Sequence, residues 1–280
     1  LVSGSVLDFN PFVRYTTFVR ISHNRKASMV GERDMMGGLA KGLRVIEAFS
    51  ADRPRLSITD AAEASGLDRA TTRRCLLTLS ETGYADYDGK YFTLTPRVLR
   101  LGTGCLAAMP LPRIVQPILD RLSQEIGEST SVSILDETEI VYVARAAQRR
   151  VMSIALMPGS RLPAYCTSMG RVLLAALEPA VAKSLLQASS LIARTDRTVT
   201  GIDDLMAVLG QVRADGHALI DQEVEVGLRS IAVPLVTARG QTIAALNVGL
   251  AASSEPMSVL KERYLPALLK VKAELSKVLS

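Results

Sequence analysis

The chain has 280 residues, 48% of them hydrophobic, with a formal net charge of +5 and a mean hydropathy of +0.21. That length suits one large domain or two ordinary ones, and no apolar run reaches the roughly 18 residues that a membrane span needs. Three cysteines without paired spacing (Cys75, Cys105, Cys166) and two histidines (His23, His217) argue against a disulfide framework, leave no Cys/His zinc cluster, and point to a reducing, cytoplasmic setting.

The basic surplus falls largely within residues 1–105, whereas residues 106–280 are close to neutral. A polyanionic partner is therefore expected for the N-terminal part. Residues 1–38 mix Phe9, Phe12, Tyr15 and Phe18 with Arg14, Arg20, Arg25 and Lys26 without a helical period. This is the pattern of a disordered basic arm, or of an upstream-extended start with Met29, Met35 or Met36 as initiator.

From Leu39 to Ser50 the spacing of Leu39, Leu43, Ile46 and Phe49 predicts a helix. Ala51–Arg55 reads as a turn, and Ser57 or Thr59 can cap the helix that follows. Gly66 supplies a left-handed turn, Asp68 caps a further helix, and that helix carries Arg69, Thr71, Thr72, Arg73 and Arg74 near its start. Helix, turn and a basic second helix form the pattern that enters the DNA major groove.

Tyr84–Tyr87 and Lys90–Thr95, joined through Asp88-Gly89, predict a β-hairpin. A hairpin after a recognition helix is a wing, and Lys90 at its tip can reach a phosphate. The expected DNA contacts are Arg69, Thr71, Thr72, Arg73, Arg74 and Lys90, with the exposed arc centred on Arg69, Thr72 and Arg73. Arg74 faces either the nucleic-acid backbone or an acidic neighbour. An arginine can donate two hydrogen bonds to guanine.

Pro96 opens a helix over 96–109 that joins the winged domain (39–95) to the remainder (110–280). Beyond it the sequence predicts a helix ending at Gly127 and strands at Ser129–Leu135, Glu139–Ala144, Met152–Met157, Ala218–Asp221, Ser230–Val236 and Thr242–Leu250. Helices are predicted at Gly170–Leu177, Ile202–Asp215 and Leu260–Leu279. Antiparallel strands flanked by helices give an α+β class and a sensor-like second domain.

Three segments carry a resemblance to the IclR family of bacterial transcriptional regulators: Gly38–Phe49, Pro163–Ala175 and Asp221–Pro234. Ala70–Leu79, Tyr91–Leu99 and Thr130–Leu135 are similar to the subgroup controlling protocatechuate, 4-hydroxybenzoate and β-ketoadipate catabolism. The resemblance covers residues 38–280. It implies a winged helix-turn-helix, a GAF-like effector domain, and dimers that pair into tetramers.

It also implies effector contacts at Ser168, Met169, Asp221, Ser230, Asn247 and Gly249. The residues themselves point to the same place, because Thr167 can cap a helix near Ser168, whose free N–H groups form a carboxylate site. Arg161 can stand at the mouth, either pairing with that carboxylate or solvated on its loop. Arg229 is either an anion ligand or a partner of Glu223 or Glu225.

The expected partners are a double-stranded DNA operator, a small organic acid (an aromatic acid or a β-ketoadipate-pathway intermediate) and further copies of the chain. No membrane, cofactor or metal is expected. There is no GxxxxGK[ST] loop or GxGxxG motif, and Cys166 lacks a histidine base, so no enzyme is expected. Two other readings compete: a sensor with a catalytic C-terminal domain, and a winged-helix protein-interaction module, whose binding would lack the steep salt dependence of DNA contacts.

Overall fold

The computed structural model describes residues 34–50, 52–148, 156–254 and 256–279. Residues 1–33 of the expected arm and residues 152–155 of the expected Met152–Met157 strand lie outside them; Leu156 and Met157 are not in a strand. The chain divides into two compact units, one ending at Ala108 and the other starting at Met109.

In the first unit, α1 (Gly37–Glu47), α2 (Ile58–Ser65) and α3 (Arg69–Glu81) pack with a small sheet. On α1 the predicted apolar stripe is only partly inward: Val45 is buried, while Leu39 and Leu43 are exposed. Ser57, rather than Thr59, starts α2 through a capping box, its hydroxyl accepting from the Asp60 N–H and its own N–H donating to the Asp60 carboxylate. Gly66 ends α2 at φ 65°, and Asp68 caps α3 by accepting from the Thr71 N–H at 2.8 Å.

The wing pairs β2 (Ala85–Tyr87) with β3 (Phe92–Leu94), and β1 (Arg55–Leu56), read as part of a turn from sequence, adds a third strand on the other side of β3. Val45, Leu56, Ala61, Leu76, Leu79, Ala85 and Phe92 close the core of this unit. The single helix predicted over 96–109 is a 3-10 turn at Pro96–Val98 followed by α4 (Leu99–Ala108).

The second unit begins with α5 (Pro110–Ile126), which Gly127 ends at φ 72°. Its six-stranded antiparallel sheet runs β6-β5-β4-β9-β8-β7, built from β4 (Ser129–Asp136), β5 (Glu139–Ala146), β6 (Arg161–Pro163), β7 (Ala218–Asp221), β8 (Leu228–Val236) and β9 (Thr242–Ala251). The helices are α6 (Ser168–Ala175), α7 (Pro179–Ala188), α8 (Ile202–Asp215) and α9 (Met257–Leu275). Sequence reasoning named neither β6 nor α7.

The sheet separates two apolar layers, and strand alternation assigns residues to each. Val132, Ile231, Val233, Leu246, Val248 and Leu250 face α5 and α9. Tyr142, Ala232 and Ala245 lie in the layer with α6, α7 and α8. No single described helix is long and apolar enough to cross a membrane.

Candidate functional site

The solvent face of α3 follows from which of its residues the core takes. Leu76 and Leu79 turn inward, and with them Thr71 (7% exposed) and Thr72 (0%). The Thr72 hydroxyl donates to the Asp68 carbonyl at 3.0 Å. Thr72 therefore does not belong to the exposed arc, and Thr71 shows little of itself. Ala70 is exposed.

The exposed residues of α3 are Arg69, Ala70, Arg73, Arg74, Leu77, Thr78 and Glu81, with the three arginines together on its first turns. Among the described residues none of these three arginines meets a carboxylate, so the acidic neighbour proposed for Arg74 is not found; its Nη2 approaches the Thr71 hydroxyl at 3.4 Å. Three uncompensated cations on the first turns of an exposed helix suit a phosphate-lined groove.

On the wing, Asp88 accepts from the N–H groups of Lys90 and Tyr91 and fixes the turn around Gly89. Lys90 lies over the Tyr91 ring at 5.0 Å, and Arg55 lies over the same ring at 4.5 Å. Arg55 was missed from sequence because the turn reading left it without a strand.

The second unit holds a narrow cleft between the start of α6 and the sheet face opposite α5 and α9. Five expected effector residues line it: Ser168, Met169, Ser230, Asn247 and Gly249. The Thr167 hydroxyl accepts from the Gly170 N–H at 3.1 Å, while the N–H groups of Ser168 and Met169 have no partner among the described residues. Those free donors form the partly positive end of the helix. Gly170 allows this approach, since a Cβ there would stand 2.2 Å from the Ala164 carbonyl oxygen.

The floor is polar because β4 alternates. Thr130 and Val132 face the helices α5 and α9, whereas the Ser131 hydroxyl accepts from Arg145 Nη1 at 2.9 Å and the Ser133 hydroxyl donates to Met169 Sδ at 3.2 Å. Asn247 is buried, and its Oδ1 has no hydrogen-bond donor among the described residues. Burial pushes the Tyr142 phenol up to about 12 and lowers the Arg145 guanidinium from its ordinary value. An arginine nonetheless remains cationic.

Arg145 lines the cleft and meets no carboxylate among the described residues. Sequence reasoning missed it for a geometric reason. Tyr142 and Arg145 stand three apart, so strict alternation puts them on opposite faces. However, Val132 pairs with Ala144 while Ser133 pairs with Tyr142, leaving Val143 as an extra bulged residue. The bulge turns both side chains into the cleft.

Two expected contacts lie outside it. Arg161 is held at the surface by Glu139 (2.7 Å) and Asp136 (2.8 Å). Asp221 sits between Arg229, at 2.6 Å, and Arg197. Burial alone would raise the Asp221 carboxyl, but the Arg229 and Gln222 hydrogen bonds and the two arginine charges hold it below the usual range. Arg229 thus pairs with Asp221. Glu223 instead forms a buried two-point pair with Arg171, at 2.7 and 2.6 Å. Among the described residues no group of three or more His, Cys, Asp or Glu side chains gathers to hold a metal.

A winged helix-turn-helix and an α+β unit with an anion-favouring cleft define a two-part DNA-binding regulator. Residues 38–89 match the IclR helix-turn-helix domain, and residues 103–277 match the bacterial transcriptional regulator IclR C-terminal domain. The Pca regulon regulatory protein of Pseudomonas putida is 44% identical over 252 residues, 90% of this chain and 87% of that protein.

A candidate transcriptional regulator from Rhodococcus sp. RHA1 shares the fold at TM-score 0.71 and 44% identity, over 87% of this chain and 98% of that one. The inducer-binding domain of the Acinetobacter PobR transcription factor was solved as a double mutant with 3-hydroxybenzoic acid. It matches at TM-score 0.57 and 34% identity, over 60% of this chain and 98% of that one. The chain belongs to the IclR family of bacterial transcriptional regulators, within the group related to regulators of aromatic catabolism.

Proposed function

We propose that the protein regulates genes of aromatic-compound catabolism by binding operator DNA through α3 and the wing, in response to a small organic acid bound in the cleft. The acid is an aromatic acid or a β-ketoadipate-pathway intermediate. The observation that carries this reading is the cleft itself: free N–H groups of α6 and the Arg145 cation converge on it, and no carboxylate among the described residues neutralises them. The names of the relatives support the choice of acid, and the exposed arginines of α3 support the choice of DNA.

The protein is a cytoplasmic homodimer or higher assembly, with exposed Leu39 and Leu43 on α1 as apolar surface available for self-association. Two heads then read two half-sites, so the operator is palindromic or directly repeated. The ligand acts by favouring one arrangement of the heads.

Calorimetric titration of the full chain with 4-hydroxybenzoate, protocatechuate and β-ketoadipate, beside pyruvate and glyoxylate, tests the sensor. Heat from at least one of the first three is expected, and silence from all five removes the ligand reading. A mobility shift on the chain's own upstream DNA tests the head. Equal affinity for that DNA and a scrambled duplex defeats the operator reading.

A further inference from the structure

The cleft is smaller than the acids it is read to take. Its cavity volume is about 30 Å³, room for a water or two, whereas a benzene ring needs a cavity on the order of 150 Å³. A wall must therefore move before such an acid enters. The sheet cannot part, because β4, β5, β8 and β9 are interior strands bonded on both sides. The start of α6 is packed on the Ala164 backbone. Two connecting segments also reach the cleft, through Leu156 and Val224.

Val224 lies in the connection between β7 and β8, and residues 194–198, between α7 and α8, grip that connection by three consecutive carbonyls. The Thr195 hydroxyl donates to the Gln222 carbonyl at 2.7 Å, the Thr198 hydroxyl to the Glu223 carbonyl at 2.7 Å, and Arg194 Nε to the Val224 carbonyl at 3.2 Å. The grip is uneven. Glu223 is pinned again through its carboxylate, by Arg171 and by the Val199 N–H. Gly227 is fixed at the far end, its carbonyl accepting from the Ala252 N–H at 2.7 Å. Between these anchors, the bond that ties Val224 to residues 194–198 comes from one long side chain on an exposed residue. Gln222 stands at φ 63° and Gly227 at φ 87°. For Gln222 that is a conformation a side chain resists and surrounding bonds must maintain.

We propose that residues 224–226 form a gate over the cleft, with Arg194 as its latch. This rests on the reading of the cleft as the ligand site, and it adds the way in. Release of the Arg194–Val224 bond lets the tip turn about Glu223 and Gly227, and carries the Val224 side chain out of the cleft. Arg194 is a positioning residue, acting on the ligand only through Val224. A latch made in both the empty and the filled protein sets the rates of entry and exit and leaves affinity alone.

The test uses the full chain and whichever of 4-hydroxybenzoate, protocatechuate and β-ketoadipate binds it, with ligand NMR line shapes reading both rates. Arg194→Ala should raise association and dissociation together by about fivefold, with Kd held within about twofold, and Arg194→Lys should undo part of the change. Val224→Ala thins the gate, so adding Arg194→Ala to it should give little further acceleration. Without ligand, hydrogen exchange across residues 224–228 should quicken in Arg194→Ala, while β7 exchanges as before.

Faster dissociation with unchanged association makes Arg194 a ligand contact and overturns the gate. Unchanged rates, or unchanged exchange across residues 224–228, overturn it and leave the ligand reading standing. If no acid binds the unaltered chain, the ligand reading fails and the gate with it.

Discussion

Single side chains on α3 and α6 have separable jobs. Arg73 is exposed in the middle of the outward face of α3 and lacks a carboxylate partner among the described residues, so its removal disturbs no internal contact. Arg73→Ala should leave the melting temperature unchanged and cost about 1–3 kcal/mol of operator binding, with reduced discrimination against scrambled DNA in a mobility shift. Loss of affinity equal on both DNAs would make Arg73 a phosphate contact instead.

The cysteines differ by environment. Burial pushes the Cys166 thiol up to about 11, whereas Cys105 is exposed on α4. Since the thiolate is the reactive form, native protein at pH 8 should take up iodoacetamide at Cys105 well before Cys166. The Cys166 rate should keep rising toward pH 11, and peptide mass mapping reads both.

At the scale of elements, α6 is held at two points, and each hold is open to test. Gly170 packs against the Ala164 backbone, so Gly170→Ala forces either the helix or the preceding loop to move. A loss of at least about 2–3 kcal/mol in urea unfolding is expected, with weaker acid binding beyond that effect because the Ser168 and Met169 donors shift. Arg171 ties the helix to Glu223, which also accepts from the Val199 N–H. Glu223→Gln should cost about 3–5 kcal/mol by leaving a buried guanidinium underpaired. Replacing both partners by apolar residues of similar volume should recover much of it, again by urea unfolding.

How much of this was legible in the sequence follows the same division by element. Helix α8 and strand β7 stand where their periodicity put them, as did the hairpin, whose Asp88-Gly89 turn has a local chemical cause. Strand β1 was not legible because two residues carry no period and their partner is β3, far along the chain. Helix α7 was not named, although Pro179 at its start and the spacing of Ala182, Leu185 and Leu186 signal it.

In the cleft, the start of α6 was readable from Thr167, and Ser230, Asn247 and Gly249 entered through resemblance. Asp221 and Arg161 were plausible as ion ligands until their partners could be seen, and those partners are distant in sequence or on another strand. Thr72 was set on the exposed arc with Arg69 and Arg73 from helical spacing, without its hydroxyl's bond to the Asp68 carbonyl, which only the folded helix shows.

The whole molecule joins a head that meets a polyanion to a sheet that meets a small anion, and the two should answer salt differently. Operator binding through the basic surface proposed on α3 and the wing would displace counterions, so log affinity should fall linearly with log salt, with a slope near −0.9 for each phosphate neutralised. Acid binding at the proposed cleft would engage one half-buried guanidinium and backbone donors, and should vary far less over the same range. A flat salt response of the DNA complex would remove the electrostatic account of the head.

The Val143 bulge lets β5 carry one residue more than its partner strand without turning either cleft side chain away. Tyr142 and Arg145 stand three apart, and the extra residue absorbed between the pairings with Ser133 and Val132 keeps both on the cleft side. Removing Val143 would leave them two apart, where plain alternation again puts both on one face, so the deletion should keep both in the cleft. Straightening the strand at its present length would instead send one of them to the opposite layer. Pairing register therefore belongs beside residue identity when the lining of such a cleft is read from a sequence.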